Sequence, residues 1–254
     1  MITIARPFVF AWHFLTAIPL SRALHEPTTQ ELAMSMAWYP TVGLLIGGVL
    51  VTADFVMASL LASEVVNALL IVLLVLLTRG LHQDGLADTL DGLAGGRTQA
   101  ERLSIMRDPR IGAIGATGLF ASLILRYAGL IALPDEFRFP ALLCMPAVGR
   151  WAMVATAWSS PYARTEGGLA APFLTHLSWP HIGVSTCILA LALGLGFGLK
   201  STLMMFMIGL GVVLVARAGC RVWFGGITGD TLGATNELME ILFLLALPLL
   251  VLLP

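Results

Sequence analysis

The chemistry of this chain is concentrated in residues 82–92, which read His-Gln-Asp-Gly-Leu-Ala-Asp-Thr-Leu-Asp-Gly. In a helix, Asp84, Asp88 and Asp91 stand at positions i, i+4 and i+7 and therefore share one face. Three like charges on one stripe repel one another and need a cation nearby. Because hard divalent cations such as Mg²⁺ prefer oxygen ligands, the segment predicts a Mg²⁺ site. His82 is a further candidate, as a ligand or as a proton acceptor.

An acidic helix end in solvent is the alternative interpretation of this segment. Leu86, Ala87 and Leu90 make the segment amphipathic, which predicts that it continues the apolar span before it. We therefore expect the acidic face to point into a cavity at the membrane surface. Gly85 and Gly92 would leave room there for a substrate to approach the helix closely.

Arginines that could bind an anion occur in two other segments. Arg107 and Arg110 flank Pro109, which can start a helix, so they lie beside a predicted helix N-terminus that suits an anion. Arg164 lies in a later polar segment and could hold a phosphate through two hydrogen bonds. The alternatives are positive-inside anchoring for the first pair and an ordinary cytoplasmic loop for Arg164.

Residues 225–237 carry a second set of oxygen atoms. Asp230 and Glu237 are seven positions apart and share a helix face, so both are candidate metal ligands. Thr228 and Asn236 are candidate substrate-binding residues in the same segment. Helix capping explains Thr228 or Asp230, but it does not explain Glu237 at the start of an apolar span.

Long apolar segments must position these residues. The 254 residues are 58% hydrophobic and 11% charged, against roughly 25% charged in an ordinary soluble domain. We predict an all-α, polytopic transmembrane helix bundle that forms a single integral membrane domain over residues 1–254. Residues 7–20 are too short for a span and predict an interfacial or re-entrant helix. About seven spans are expected at approximately 34–61, 65–81, 111–133, 139–158, 181–199, 202–220 and 233–253.

The arginine distribution orients this bundle. Residues 82–110 hold four arginines and should be cytoplasmic by the positive-inside rule. An even number of spans then brings residues 159–180 and 225–237 to the same face of a bacterial or archaeal cell (inner) membrane. Membrane lipid is therefore an expected partner. Gly43 and Gly47 give the first span a small-residue face that permits a homo-oligomer.

Together, the carboxylates and arginines indicate phosphoryl chemistry at a membrane surface, with carboxylates holding Mg²⁺ and arginines neutralising phosphate charge. The chain has no Walker A, Gly-x-Ser-x-Gly or His-Glu-x-x-His motif. Scarce lysine and the lack of a basic aromatic stripe argue against a nucleic-acid partner.

A small-solute transporter is the alternative from a different functional class. Asp54, Glu64, Arg126 and Arg150 lie in or near apolar spans, where charges often mark an ion or solute path. A transporter should place its key charges near the bilayer midplane. The richest charge clusters instead fall at the predicted cytoplasmic ends of spans, which favours an enzyme.

The order of these motifs resembles the cobalamin synthase family, the adenosylcobinamide-GDP ribazoletransferases. The resemblance covers nearly the whole chain and implies a Mg²⁺-dependent membrane enzyme. Such an enzyme joins the cobinamide-phosphate moiety of adenosylcobinamide-GDP to α-ribazole, or to α-ribazole 5′-phosphate, and releases GMP. The matching segments are residues 82–92, 105–115, 162–169 and 226–237, with residues 15–19 and 39–43 as N-terminal features.

With that reaction in view, a ribose hydroxyl should attack the phosphorus attached to cobinamide. One carboxylate, or His82, would orient or deprotonate the hydroxyl. The pyrophosphate would be held by Arg107, Arg110 and Arg164. Mg²⁺ would be bound by Asp84, Asp88 and Asp91, with Asp230 and Glu237 as further ligands.

A CDP-alcohol phosphotransferase acting on lipid is a neighbouring alternative. Residues 88–92 look like the start of that family's motif. The likeness then fails, because Gly95-Gly96-Arg97 stands where Ala-Arg is expected and no Asp-x-x-x-Asp follows at the usual distance. The sequence is compatible with chemistry similar to that of this family, but it favours a lipid product less.

Overall fold

The computed structural model describes residues 5–21 and 26–252, and these residues confirm the predicted all-α polytopic bundle. An isolated β-bridge joins Tyr162 to Ile227. The described helices are α1 (Ala5–Leu15), α2 (Thr29–Met36), α3 (Tyr39–Ala58), α4 (Ser63–Thr78), α5 (Leu81–Gly95), α6 (Gln99–Ile105), α7 (Ala113–Ile131), α8 (Asp135–Ala157), α9 (Ala171–Leu174), α10 (Trp179–Phe224) and α11 (Gly229–Leu252).

Within the described ranges, five helices are long and apolar enough to cross a membrane, and the bent pair of α4 and α5 makes a sixth candidate. The five are α3, α7, α8, α10 and α11. Helix α10 has 46 residues and contains both of the spans predicted at 181–199 and 202–220. It is broken only at Gly198, whose φ of 75° and ψ of 174° are not helical. The predicted number of about seven spans treats the parts of α10 before and after Gly198 as two separate spans.

The helix with the acidic motif follows the span before it along the chain, but it does not keep the direction of that span. Helix α5 turns by 89° from α4. Arg79 (φ 55°) and Gly80 (φ 67°) both adopt the left-handed conformation at the bend, which ends a right-handed helix. The Arg79 guanidinium donates to the Thr16 carbonyl at 2.6 Å and ties the bend to the residue after α1.

Two predicted N-terminal segments are shorter in the structure. The helix expected within residues 7–20 ends at Leu15, and the Ala17 N–H then donates to the Leu77 carbonyl at 2.7 Å. The span expected at 34–61 begins only at Tyr39, because α2 ends before it and α3 starts afresh with a proline at its first turn.

Helix α8 forms the centre of the bundle. Of the residues in its most apolar stretch, 83% are buried, whereas only 17% are buried in the corresponding stretch of α10. Helix α3 packs closely on it, since a Cβ added to Gly43 would lie 2.5 Å from the Ala147 Cα and one added to Gly47 would meet the Leu143 backbone. The glycine face that suggested a homo-oligomer is thus used within the chain. A homo-oligomer stays a prediction.

Candidate active site

The acidic helix α5 packs directly on the beginning of α11. Gly85 approaches Asp230 so closely that an added Cβ would lie 2.7 Å from the Asp230 carbonyl oxygen. Gly233 approaches His82 in the same way, with 3.3 Å from an added Cβ to the His82 Cα. Two predicted site segments that are far apart in the chain therefore share one helix contact.

Thr228 sets where α11 begins. Its hydroxyl accepts the N–H of Thr231 at 3.2 Å, and its own N–H donates to the Thr231 hydroxyl at 2.9 Å. This confirms the predicted capping of the helix. The Thr228 hydroxyl also lies 3.3 Å from the Asp230 carboxylate, so the cap orients that side chain, while its role in binding substrate stays a prediction.

Asp84, Asp88 and Asp230 form an acidic cluster at this contact. Asp84 is exposed and Asp88 is half-buried. The negative charges of Asp84, Asp230 and Asp91 all act on Asp88, and Arg164 opposes them. Within the described part of the chain, the carboxylates of Asp84 and Asp88 have no hydrogen bond or ion pair. The cluster thus holds an excess of negative charge that protein groups leave largely unbalanced.

Asp91 lies on the same helix but is bound to a neighbouring one. Its two carboxylate oxygens accept the N–H groups of Gly112 and Gly115, each at 2.7 Å. These groups belong to the first turn of α7, where a helix favours negative charge. Asp91 therefore holds α5 against α7, and its predicted metal ligation remains untested.

Arg164 is the predicted phosphate-binding arginine that the structure brings to the acidic cluster. Its guanidinium donates to the Asp230 carboxylate at 2.8 Å. The segment before it is paired with the residues preceding α11, because Ile227 donates to Pro161 at 2.8 Å and Ala163 donates to Ile227 at 2.9 Å. A cavity of about 130 Å³ lies here, and its lining includes His82, Asp84, Tyr162, Arg164 and Asp230.

Arg107 and Arg110, the other two predicted arginines, lie outside this cavity. Arg107 pairs with Glu166 at 2.5 Å, and this hydrogen bond lowers the pKa of Glu166. Arg110 is exposed and pairs with Asp108 at 2.6 Å, which lowers the pKa of Asp108 to about 2. Arg107 thus contacts the loop that carries Arg164, whereas Arg110 makes a local pair.

Glu237 and Asn236 lie deeper, in a buried charge network. Glu237 accepts hydrogen bonds from Arg126 at 3.0 Å and from Gln83 at 3.1 Å. Asn236 donates to Glu240 at 3.0 Å, and Glu240 also pairs with Arg126 at 2.9 Å and with Arg150. Buried charges require such partners. The predicted roles of Glu237 in metal binding and of Asn236 in substrate binding remain untested.

His82 connects this buried network to the cavity. Its Nδ1 atom lies 3.5 Å from the Arg150 guanidinium. Its Nε2 atom is buried and has no hydrogen-bond partner among the described residues. His82 also lines the cavity beside Asp84 and Asp230, and its role as a ligand or proton acceptor stays a prediction.

A second, larger cavity adjoins the first. It measures about 610 Å³ and shares Phe14, Leu81 and Asp84 with the smaller cavity. The rest of its wall includes Leu119 and Leu123 of α7. The two cavities form one cleft, defined by these shared residues, with a charged end and a largely apolar end that meet at Asp84.

The residues of the cleft fit a hard divalent cation by their chemistry. Among the residues that the structure describes, the carboxylates of Asp84 and Asp88 are unpaired, and Asp230 lies close enough for its charge to act on Asp88. Oxygen atoms of this kind are the ligands that Mg²⁺ prefers. Among the described residues, no group of three or more His, Cys, Asp or Glu side chains is close enough to hold a metal ion by itself.

Sequence reasoning missed several residues that shape this site. Gln83 and Tyr162 lie inside the predicted motifs, but no spacing rule singled them out. Arg126 and Arg150 were noticed as charges in apolar spans and assigned to a transporter path, whereas the structure pairs them with glutamates of α11. A search for opposite charges in other apolar spans could have found those pairs.

The remaining charges of the transporter alternative lie elsewhere. Asp54 is buried and pairs with Arg138 at 2.6 Å, where Asn67 also accepts from Arg138 at 2.8 Å. Arg138 lies near the beginning of α8 and Arg150 near its end, so the two charge groups are separate. Glu64 is exposed at the start of α4.

The fold and the site define a polytopic α-helical membrane protein with a carboxylate-and-arginine cleft at one end of its bundle. The family model described as cobalamin-5-phosphate synthase matches residues 7–248. The chain belongs to that family and is an enzyme of the transferase class.

Curated relatives support the same assignment. The chain is 39% identical over 241 residues to an adenosylcobinamide-GDP ribazoletransferase of Syntrophobacter fumaroxidans, covering 92% of this chain and 97% of the relative. It is 36% identical over 240 residues to the enzyme of that name from Desulforamulus reducens, covering 92% and 93%. No solved structure matches the chain.

Proposed function

We propose that this enzyme transfers the cobinamide-phosphate moiety of adenosylcobinamide-GDP to α-ribazole or to α-ribazole 5′-phosphate. The products would be GMP and adenosylcobalamin or its 5′-phosphate. The observation that carries the proposal is the juxtaposition of Arg164 with the acidic cluster of Asp84, Asp88 and Asp230 beside the cleft. Family membership supports this choice of substrates.

The reaction exchanges one phosphorus–oxygen bond for another. A ribose hydroxyl of ribazole attacks the phosphorus that carries cobinamide. The bond from this phosphorus to the oxygen that leaves with GMP breaks, and the hydroxyl proton passes to a base. Because the attacking and leaving oxygens are roughly in line in such transfers, the protein has to align two substrates and stabilise negative charge.

The residues of the cleft suit these tasks. Arg164 is placed to hold pyrophosphate oxygens, since a guanidinium can bind phosphate through two hydrogen bonds. His82 lines the same cavity, and its Nε2 atom, which has no hydrogen-bond partner among the described residues, is our candidate to bond a substrate oxygen. Asp84 is exposed to both cavities and is our candidate to accept the hydroxyl proton.

Mg²⁺ is the cofactor that we propose. Asp84, Asp88 and Asp230 would supply carboxylate ligands to it alongside phosphate oxygens of the substrate, since Asp84 and Asp88 have no partner among the described residues and Asp230 lies near Asp88. When bound, the ion would neutralise charge on the phosphate oxygens during transfer. Asp91 and Glu237 are engaged with α7 and with Arg126, so we propose that they position α5 and α11.

The apolar end of the cleft fits the base of the nucleoside substrate. The wall of this apolar end contains Phe14, Leu119 and Leu123, and Asp84 lies where it meets the charged end. A flat, apolar base placed against Phe14 would leave its ribose beside the acidic cluster. Aromatic rings bury a large apolar area and prefer to stack with their centres offset. The apolar end of the cleft would therefore bind an apolar aromatic base better than a polar one.

We propose that the membrane domain presents the cleft to the cytoplasm of a bacterial or archaeal cell. The arginines of residues 97–110 lie near the same bundle end, since α6 hydrogen-bonds to the end of α10 through Arg102 at 3.1 Å. An arginine-rich end is expected on the cytoplasmic side. Membrane lipid would surround the apolar helices.

Turnover by the purified protein in detergent tests this function. Adenosylcobinamide-GDP and α-ribazole are supplied with Mg²⁺ or with a chelator, and GMP and the cobalamin product are measured. Product that forms only with Mg²⁺ supports both the reaction and the cofactor. Product that forms equally with chelator contradicts the Mg²⁺ proposal.

The same preparation separates the alternatives. If the folded protein gives no cobalamin product, the proposed reaction is wrong. Turnover of a CDP-lipid would then favour the CDP-alcohol phosphotransferase. Solute flux into proteoliposomes would favour a transporter.

A further inference from the structure

A third cavity, separate from the cleft, lies at the end of α10. It measures about 350 Å³, and its lining includes Ser159, Ser160, Arg217 and Arg221. Arg217 and Arg221 are four positions apart, so they stand on neighbouring turns of one helix face. This cavity is called the α10 cavity below.

The charges of Arg217 and Arg221 are not balanced by any acidic side chain that the structure describes. Within the described part of the chain, neither forms an ion pair with Asp or Glu, although other arginines of the chain do. The Arg217 guanidinium lies 3.5 Å from the Ser159 carbonyl oxygen. Like charges on adjacent helix turns repel, so an anion between them would relieve the repulsion.

Two features of the backbone shape the wall of the α10 cavity. Ser159 adopts a left-handed conformation with φ of 59°, which is uncommon outside glycine. This turn places the Ser159 carbonyl next to Arg217. Gly226, on the other wall, is packed against Pro161 and Ala163, where a Cβ would meet their backbone. Closely packed backbone therefore forms the wall of the cavity beside the two guanidinium groups.

We propose that the α10 cavity binds a phosphate group through Arg217 and Arg221. Guanidinium groups match phosphate geometry and bind it by charge-assisted hydrogen bonds. The source can be a soluble phosphate or the headgroup of an anionic phospholipid, since the cavity lies where a membrane helix ends. The proposal does not depend on the transfer reaction.

A ligand here would also contact the segment that carries the cleft residues. Pro161 and Ile227 line the α10 cavity, and the hydrogen bond between them pairs the loop of Arg164 with the beginning of α11. Bound phosphate would therefore brace the backbone on which Arg164 and Asp230 stand.

Thermal unfolding of the purified protein in detergent tests the proposal. Wild type, R217Q and R221Q are titrated with inorganic phosphate, and separately with dioleoylphosphatidylglycerol against dioleoylphosphatidylcholine. R97Q is the matched control, because Arg97 is exposed and does not line the cavity. A saturable rise in Tm is expected for wild type and R97Q. Loss of one charged hydrogen bond should raise the half-saturating concentration about tenfold or more in R217Q and R221Q.

The two titrations identify the source. A shift with phosphate assigns the site to a soluble phosphate, and a shift only with phosphatidylglycerol assigns it to a lipid headgroup. Equal shifts in all four proteins, or no shift in wild type, overturn the proposal. If a glutamine variant does not fold, R217K and R221K replace it, and these must still weaken the shift because lysine lacks the planar fork.

Discussion

Gly85 and Asp230 meet where α5 crosses α11, with no space for a side chain between them. An added Cβ on Gly85 would lie 2.7 Å from the Asp230 carbonyl oxygen, below the distance that real Cβ contacts reach. The contact sets the separation between the carboxylates of α5 and that of Asp230. A glycine is thus required for the geometry of the acidic cluster.

The G85A variant should therefore lose activity while remaining folded. Pushing α5 away from α11 displaces Asp84 and Asp88 from Asp230, and a displacement of about 1 Å can lower a rate about 100-fold. The measurement is kcat for GMP release in detergent, with Tm as the test of folding.

G48A is the matched control for that experiment. An added Cβ on Gly48 meets no atom within 4 Å, and alanine favours a helix over glycine by roughly 0.5–1 kcal/mol. Its activity should equal that of wild type. Wild-type kcat in G85A would show that the helix contact does not set the cluster geometry.

Asp84 and Asp91 should respond differently to the same substitution. D84N removes a carboxylate that has no partner among the described residues, so the free energy of unfolding should change by less than about 0.5 kcal/mol while turnover is lost. D91N weakens the hydrogen bonds to the first turn of α7, and should lower the free energy of unfolding by about 1–2 kcal/mol.

Denaturant unfolding and Mg²⁺-dependent turnover of both variants check this contrast. The two substitutions have the same chemistry and lie on the same helix, so each serves as the control for the other. Equal stability of D84N and D91N would contradict the role of Asp91 in holding α5 to α7.

Arg126 and Glu237 should be coupled energetically. Their ion pair is buried at 3.0 Å, and removing one partner leaves a buried charge without its main counter-charge. R126Q alone should lower the free energy of unfolding by about 3–5 kcal/mol. In the R126Q/E237Q double variant, the loss should be smaller than the sum of the two single losses.

The same cycle tests the predicted metal ligation by Glu237. If Glu237 only holds the bundle together, E237Q should lose stability yet respond to Mg²⁺ at the wild-type concentration. A large rise in the Mg²⁺ concentration needed for half-maximal activity would instead support direct ligation. Additive stability losses in the double variant would refute the coupling.

Phe14 should determine affinity for the nucleoside substrate. It forms the wall shared by both cavities, and losing its ring should remove about 1.5–3 kcal/mol of apolar contact. F14A should raise the KM for α-ribazole about tenfold or more and leave the KM for adenosylcobinamide-GDP nearly unchanged.

Steady-state kinetics with each substrate varied in turn measure that difference. F120A is the control, since Phe120 is 70% exposed on α7 and lines neither cavity. F14L provides a milder change if the alanine variant unfolds. An equal rise in both KM values would place the base elsewhere.

Several features of the fold and the site could be predicted from the sequence. The apolar runs that became α3, α7, α8 and α11 follow from hydropathy, and the cap at Thr228 follows from local residue preference. The helical face shared by Asp84 and Asp88 follows from their spacing. These properties depend on neighbours within a few turns, which a sequence displays directly.

Tertiary structure alone decided which partner each charge has. The 89° bend at Arg79 and Gly80 turned α5 away from α4, so the acidic face met α11. Asp91 faced the first turn of α7, and Glu237 faced Arg126. These partners lie far apart in the chain, and the approach of their helices depends on packing across the whole bundle. Local periodicity identifies a charged face, but only the folded bundle determines which groups lie opposite it.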